Sequence, residues 1–248
     1  MWDLVQWTSR ESVPTEPTLA SEQVRTWSNA LKAVTLRRPG SEAGDLELAV
    51  NGWEEYGERA RREGEPWVHL LVEQFFADPP ALTEIAAARF RIAARLVRSR
   101  LRKTDDYSPG RHAAQFQVFL TVQNRNRASA GFGRLLWFGI PLYDDRHRFP
   151  LEHKTKDTAG SEMFIFTPPG DAYALKSAHD GDWVRVDRDL LPLLRESVES
   201  AWAKGFLRES RELGDYRVTG MNMGWEIPGI FDASVAVRDL SLTVTKRA

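Results

Sequence analysis

The sequence predicts a mainly β fold, a jelly-roll β-sandwich forming a single domain over residues 1–248, with one packed α-helix near 189–206. Apolar runs that alternate with period two recur along the chain. Turn-rich segments, such as TDDYSPG (104–110) and TPPGD (167–171), separate these runs at spacings that suit strands. No alternating strand–helix series occurs, so a parallel α/β fold is not expected.

Two neighbouring strands are the clearest elements. In the strand over 114–122, one face is purely apolar and the other mixes polar and aromatic side chains: Gln115, Gln117, Phe119, Thr121 and Gln123. In the strand over 134–143, the corresponding second set is Leu135, Trp137, Pro141 and Tyr143. Period-two alternation places one set in the core and the other on the opposite face of the sheet.

Further strands are predicted over 67–76, 162–167, 183–186, 215–223 and 231–244. The last of these changes phase between Val237 and Leu240, which indicates a β-bulge at Arg238–Asp239. The helix has apolar residues near 3.6 spacing, Pro192 in its first turn, and Asp187 or Asp189 as a cap.

The stretch 86–101 fits both a helix and a strand. Its alanines and arginines favour a helix by propensity, whereas the neighbouring strands and the preceding turn favour a strand, which we expect. As a strand, its polar face carries Arg89, Arg91 and Arg95. The arginines of 89–102 would suit an anionic polymer such as an acidic polysaccharide, and a solvated or ion-paired face is the alternative.

Composition excludes several classes of function. Lys and Arg total 34 against 35 Asp and Glu, a net charge of −1, so we expect neither nucleic acid nor membrane as a partner. The absence of Cys excludes disulfides, thiolate metal sites and a cysteine nucleophile. No apolar run approaches the roughly 18 residues of a membrane span. Nothing in the sequence indicates the oligomeric state.

The N-terminal stretch MWDLVQWTSRESVPTEP lacks a basic start followed by an apolar segment, so no signal peptide is visible. We expect a cytoplasmic protein from the chain as given, or a secreted one if the chain was cut from a longer precursor.

The closing stretch GWEIPGIFDASVAVRDLSLTV (224–244) resembles the last strand of jelly-roll carbohydrate-binding modules in the galactose-binding-like group. The resemblance rests on Phe231, Asp232, Val235, Val237, Asp239, Leu240, Ser241 and Leu242. It implies a jelly roll of the galactose-binding-like or concanavalin-like type and a carbohydrate ligand, bound on a sheet face or at the loop tips. The helix and the length of the chain depart from such modules.

Sugars present apolar C–H faces, on which aromatic rings stack, and hydroxyls, which amides, carboxylates and guanidinium groups bind. The predicted function is therefore non-catalytic polysaccharide binding through an aromatic and amide sheet face. The predicted ligand-binding residues are Gln115, Gln117, Gln123, Arg134, Trp137, Tyr143, Asp144, Asp145, Arg146, Asn222, Trp225 and Glu226. The alternatives are a solvent-facing sheet or a layer under the helix, a turn with a surface ion pair at 143–147, and a structural loop with Trp225 at the core edge.

No cofactor is predicted, although the adjacent Asp144 and Asp145 would also suit a structural Ca²⁺. The first alternative function is a jelly-roll polysaccharide lyase or glycoside hydrolase. A hydrolase needs two nearby carboxylates, and the candidates are Glu73, Asp144, Asp145, Glu152, Asp157 and Glu226. A lyase would use Gln, His, Arg and Tyr, such as Gln115, Gln117, His112, Arg134 and Tyr143. The second alternative is a structural β-sandwich that binds another protein.

Overall fold

The computed structural model of the chain describes residues 1–158 and 160–247. Two seven-stranded sheets pack face to face, which confirms the jelly-roll β-sandwich. The strands are β1 (Asp3–Val5), β2 (Thr18–Ser21), β3 (Val24–Ser28), β4 (Lys32–Arg37), β5 (Leu46–Asn51), β6 (Val68–Phe75), β7 (Ile85–Leu101), β8 (Gln115–Asn124), β9 (Leu135–Asp144), β10 (His153–Lys156), β11 (Phe164–Thr167), β12 (Val184–Asp189), β13 (Tyr216–Ile227) and β14 (Phe231–Lys246).

The front sheet has the strand order β1-β6-β13-β8-β9-β11-β10, and the back sheet has the order β12-β7-β14-β5-β4-β3-β2. Neighbouring strands run antiparallel, except that β11 runs parallel to β9. The inner faces of both sheets meet in one apolar core. Each sheet therefore has one outer face on which polar side chains can be arranged for function.

The stretch 85–101 is strand β7, as expected. Tertiary pairing overrides its helix propensity, because β7 is hydrogen-bonded to β12 on one side and β14 on the other. The bulge predicted at Arg238–Asp239 is also confirmed: the β7–β14 register shifts between Arg238 and Ser241, and Asp239 has a φ of 59°.

The predicted helix is α2 (Leu191–Ala203); a single-turn helix, α1 (Gly52–Glu55), follows β5. The N-cap position is Leu190, not the predicted Asp187 or Asp189, but the Asp189 carboxylate one residue earlier accepts hydrogen bonds from Leu191 N (3.1 Å) and Ala88 N (2.8 Å) and so ties the first turn of the helix to β7. Leu194 and Val198 of α2 are buried in the core. Within the described residues, no helix has the length and apolar character needed to cross a bilayer.

Trp225 connects the two sheets through the core. It is fully buried, and its indole Nε1 donates a hydrogen bond to the carbonyl of Leu48 on β5, at 2.9 Å. Its ring meets Phe116 edge to face, with 5.3 Å between centroids. Burying an aromatic side chain of this kind stabilises a fold by roughly 2–3 kcal/mol, and the satisfied N–H removes the main cost of placing indole there.

A buried ion pair fastens the N-terminal segment. Lys32 Nζ lies 2.9 Å from Glu55 Oε1, and both side chains are fully buried. The segment closes over the pair, because Lys32 Nζ also donates to the Glu11 carbonyl (2.6 Å) and Ser9 Oγ donates to Glu55 (2.6 Å). The preceding Trp7 is thereby held beside the front sheet, where its carbonyl accepts a hydrogen bond from His69 N at 3.0 Å.

Candidate functional site

The outer face of the front sheet, called the front face below, collects most of the polar side chains predicted from sequence. Because Phe116, Val118, Leu120 and Val122 enter the core, the alternate residues of β8 point outward. Register pairing then fixes which residues of β6, β13 and β9 join them. The resulting set is His69, Glu73, Gln115, Gln117, Phe119, Thr121, Gln123, Trp137, Asp144, Asn222 and Glu226.

Glu226 is the most perturbed acid on this face. It lies opposite Gln115 on one side and opposite His69 on the other. Burial raises the pKa of Glu226 to about 7, and the negative charge of Asp157 adds to this, while a hydrogen bond from Gln117 opposes it. That bond runs from Gln117 Nε2 to Glu226 Oε2 at 3.0 Å. The side chain still keeps some contact with solvent. Near neutral pH, Glu226 can therefore hold a proton and release it.

Asp144 is a second front-face carboxylate, in a different state. Arg146 grips it with two hydrogen bonds, of 2.8 and 2.7 Å, and Gln115 Nε2 donates a third at 2.8 Å. Burial favours the neutral form, but these bonds outweigh it and lower the pKa of Asp144 below its ordinary value. Between the ordinary aspartate pKa of 3.8 and neutral pH, Asp144 is therefore ionised while Glu226 holds its proton.

Glu226 and Asp144 are related by a simple geometry. Both lie opposite Gln115, on the two strands that flank β8. Neighbouring strands are about 4.8 Å apart, so their Cα atoms are separated by roughly 10 Å. Glycosidase carboxyl groups lie roughly 5–9.5 Å apart, a range that two outward side chains at this backbone spacing can reach.

A β-bulge places Asp144 on this face. The β8–β9 register shifts by one residue, so that Gln117 pairs with Pro141 but Phe116 pairs with Tyr143. Leu142 is the extra residue, and both Leu142 and Tyr143 enter the core. Without the bulge, strict alternation would turn Tyr143 outward and Asp144 inward.

Next to Glu226, the backbones of strands β13 and β6 approach each other closely. Gly224, two residues earlier on β13, pairs with Leu71. A Cβ at Gly224 would fall against the Leu70 carbonyl and the Leu71 Cα, and its φ of 157° is already unusual for other residues. Glycine is therefore required for β13 to lie this close to β6.

Aromatic rings lie at both ends of the front face. Trp7 meets the ring of His69 edge to face at 5.7 Å, close to Glu226, and is half exposed. Trp137 meets Phe119 at 6.1 Å toward the other end. Thr121, the partner of Trp137, is six residues from Gln115 along β8. That separation is about 20 Å, the length of several sugar rings.

The end of the front face that carries Trp137 contains a cavity. A cavity of about 510 Å³ lies there, lined by Phe75, Thr121, Gln123, Trp137, Arg217 and neighbouring residues. Trp137 Nε1 donates to Ser161 Oγ (2.9 Å), and Ser161 Oγ donates to Asp157 (2.8 Å). These two hydrogen bonds bring Asp157 over the front face, where its charge acts on both Glu226 and His69.

The structure brings together seven of the twelve residues predicted from sequence. They share the front face: Gln115, Gln117, Gln123, Trp137, Asp144, Asn222 and Glu226. Arg146 joins them through its ion pair to Asp144, at 2.7 Å.

The other four predicted residues lie elsewhere. Tyr143 and Trp225 were expected to contact ligand, but both are buried in the core, 5.9 Å apart between ring centroids. Asp145 accepts a hydrogen bond from Ala114 N at 2.6 Å and so fastens the loop after β9. Arg134 lies beyond the strand end, 3.6 Å from Glu209.

Sequence reasoning passed over two residues beside Glu226. His69 Nδ1 donates to the Trp67 carbonyl at 2.9 Å, which fixes its tautomer and leaves Nε2 as an acceptor in the neutral ring. Burial lowers the pKa of His69. The second residue that the sequence analysis passed over is Trp7. Neither has a local sequence signal, because strand pairing brings His69 to β13, and the contacts of Ser9 and Glu11 with the Lys32–Glu55 pair hold Trp7 beside it.

The described residues contain no group of three or more side chains able to hold a metal ion. The Asp144 and Asp145 oxygens, considered for Ca²⁺, contact Arg146, Gln115 and the Ala114 amide instead.

No protein-family model matches the sequence, and no curated protein matches it. Solved structures with a similar fold include the endoglucanase Cel12A from Rhodothermus marinus, with 12% identity, 99% of this chain and 100% of that chain covered, and a TM-score of 0.46. The family 11 xylanase from Neocallimastix patriciarum has 11% identity, coverage of 99% and 100%, and a TM-score of 0.48. The family 12 xyloglucanase from Bacillus licheniformis has 9% identity, coverage of 98% and 100%, and a TM-score of 0.48. Likeness at this level assigns no activity to the chain.

Proposed function

We propose that the protein is a glycoside hydrolase that binds a polysaccharide along the front face, with Glu226 as general acid and Asp144 as the second carboxylate. The observation that carries this proposal is the opposite displacement of the two pKa values on one face. Pairs of acids whose environments separate their pKa values in this way divide the acid and base roles of a reaction.

Glycoside hydrolysis needs both states at once. Protonated Glu226 donates its proton to the glycosidic oxygen, so the leaving sugar departs as a neutral alcohol. The ionised Asp144 stabilises the positive charge that develops on the sugar ring, as a nucleophile or as the base that activates a water molecule. Gln117 holds the Glu226 carboxyl in place, and Gln115 does the same for Asp144.

Arg146 sets a condition on this mechanism. Its guanidinium donates hydrogen bonds to both Asp144 oxygens. Substrate must draw Arg146 away from one oxygen before Asp144 can act. A sugar hydroxyl or carboxylate at that position would serve, since guanidinium groups bind both.

The direct test is release of reducing ends from a panel of neutral and acidic polysaccharides. We expect activity in the wild type, falling above about pH 7 as Glu226 loses its proton. Glu226→Gln should lower release about 10²–10⁴-fold while binding persists, and Trp137→Ala should weaken binding about tenfold by removing a stacking ring. A product with the ultraviolet absorbance of an unsaturated sugar would indicate a lyase instead. The Asp157→Asn variant tests whether Asp157, rather than Asp144, is the second carboxylate.

Non-catalytic binding is the second candidate, and the closed ion pair between Arg146 and Asp144 favours it. In that case the front face would bind polysaccharide in the manner of the galactose-binding-like modules that the closing strand resembles. Specific binding without release of reducing ends, unchanged in Glu226→Gln, would support this reading over hydrolysis.

A further inference from the structure

We infer that the outer face of the back sheet is a second binding site, for an acidic polysaccharide, separate from the front face. Strand β7 carries a row of arginines on this face: Arg89, Arg91, Arg95, Arg98, Arg100 and, just beyond its end, Arg102. Alternate residues of a strand lie about 6.7 Å apart. The row thus presents positive charge along one line, interrupted at Ala93.

A β-bulge keeps the row on one face. Arg89, Arg91 and Arg95 occupy odd positions, whereas Arg98 and Arg100 occupy even ones. Strict alternation would send the second group into the core. The β7–β14 register shifts there, so that Leu96 pairs with Val235 and Arg98 pairs with Ser234. Ser234 Oγ donates to Glu47 on the outer face, which fixes the side on which Arg98 lies.

The row is only partly neutralised. Asp187 alone serves both Arg89 and Arg91, at 2.6 and 3.2 Å. Arg102 pairs with Asp232 at 2.9 Å. Arg98 and Arg100 are exposed, and neither has an ion-pair partner among the described residues. Like charges this close repel one another, and an anionic chain laid along the row would relieve that repulsion.

Trp183 orders the middle of the row. The guanidinium of Arg95 lies 4.9 Å from the ring centroid of Trp183, and that of Arg238 lies 4.2 Å from it. Stacking on the indole holds both guanidinium planes, and Arg95 stays partly exposed beside the ring. The residues of the sheet beneath these side chains are small, since Ala93 and Ala236 are buried there.

The chemistry favours a carboxylate-bearing polysaccharide over a nucleic acid. Guanidinium forks match carboxylates with two parallel hydrogen bonds. Single-stranded nucleic acids also need exposed rings on which bases stack, and the Trp183 ring is engaged by two arginines. A chain with a net charge of −1 also lacks the overall positive field of a nucleic-acid binder.

The test measures binding of polygalacturonate by affinity electrophoresis at increasing salt, with its methyl ester as the uncharged comparison. The background is Glu226→Gln, so that no turnover occurs. We expect Arg98→Ser with Arg100→Ser to weaken binding at least tenfold and to lower its salt dependence. Arg62→Ser with Arg127→Ser removes the same charge from exposed residues elsewhere and should change binding less than twofold. Arg98→Lys with Arg100→Lys should give an intermediate loss, because the charge stays and the fork is removed.

Three results would overturn the inference: no retention of the parent protein at low salt, equal binding by the Arg98→Ser/Arg100→Ser variant, or tighter binding of single-stranded DNA than of polygalacturonate. Circular dichroism checks that each variant is folded. Trp137→Ala should leave this binding unchanged, which separates it from the front face.

Discussion

The two outer faces come from sheets of equal strand number that share one core, yet they hold charge in opposite ways. The front face places carboxyl groups in partly buried positions, where burial raises the pKa of Glu226 and the hydrogen bonds of Arg146 outweigh burial to lower that of Asp144. The back face spreads arginines over an open surface, where few counter-charges meet them. Burial makes a group reactive by shifting its pKa, whereas exposure keeps charge constant and suited to holding a polyanion. The fold is common to both, and the outward residues make the difference.

The largest expected effect separates the faces by activity. Glu226→Gln should lower hydrolysis about 10²–10⁴-fold, because a positioned general acid contributes that much. Arg98→Ser with Arg100→Ser should leave hydrolysis of a short neutral substrate within about twofold. Steady-state kinetics on both variants measures this. If the arginine variant were as inactive as Glu226→Gln, the two faces would not be independent.

The next effect tests how far the front face depends on distant residues. Lys32→Met leaves Glu55 charged and buried without its partner, which should cost about 3–5 kcal/mol of the free energy of unfolding. Urea unfolding measures this cost in stability. The fluorescence of Trp7 should also respond, because the Lys32–Glu55 pair and its contacts hold the N-terminal segment that carries Trp7. Lys176→Met breaks the exposed pair with Asp182 and should cost no more than about 1 kcal/mol. Equal costs would show that burial of the Lys32–Glu55 pair does not matter.

The faces should also respond to pH in opposite directions. Glu226 is held above its ordinary pKa of 4.5, at about 7, so the folded state loses stability as pH rises between these values. Allowing for partial exposure, the loss is about 1–2 kcal/mol, and Glu226→Gln should remove it.

On the back face, hydrogen bonds from Arg89 and Arg91 lower the pKa of Asp187 to about 2. Its contribution is present above its ordinary pKa of 3.8 and is lost as pH falls toward 2. Thermal unfolding from pH 2 to 9, with Asp187→Asn as the matched variant, checks both signs. If Glu226→Gln changed stability only at the acid end of this pH range, the assignment of the loss between pH 4.5 and 7 to Glu226 would be contradicted.

The smallest effect concerns order within the arginine row. Trp183→Leu removes the ring between Arg95 and Arg238 and should cost about 1 kcal/mol in stability. It should also weaken polygalacturonate binding, because the two guanidinium planes lose their common orientation. Trp2→Leu, a change of the same size at an exposed position, is the control for thermal unfolding. A larger loss in Trp2→Leu would argue against the stacking role.

The fold could be predicted because its signals are local. The alternation of β8, the 3.6 spacing of α2 and the phase change at Arg238–Asp239 are each patterns formed by residues that are close together in sequence. Strand β7 was ambiguous for the opposite reason: its pairing with β12 and β14 decides its conformation, and neither partner is nearby in sequence.

The site was predictable only in part. The amides of Gln115 and Gln117 follow from alternation, but the bulge at Leu142 reverses the side on which Tyr143 and Asp144 lie. No residue type in PLYDD announces that bulge. The pKa of Glu226 depends on its burial in the assembled sheet, on the charge of Asp157 and on the hydrogen bond from Gln117, which come from other parts of the chain. Its raised pKa is therefore a property of the assembled sheet.

The bulge at Leu142 has an implication for how such a site can be gained or lost. Deleting Leu142 would remove the extra residue and restore regular pleating, yet Asp144 would stay opposite Gln115 on the front face. Closing the bulge without a deletion would instead shift the pairing by one residue and turn Asp144 toward the interior. In any relative, the length of this strand must therefore be compared together with the presence of the acid.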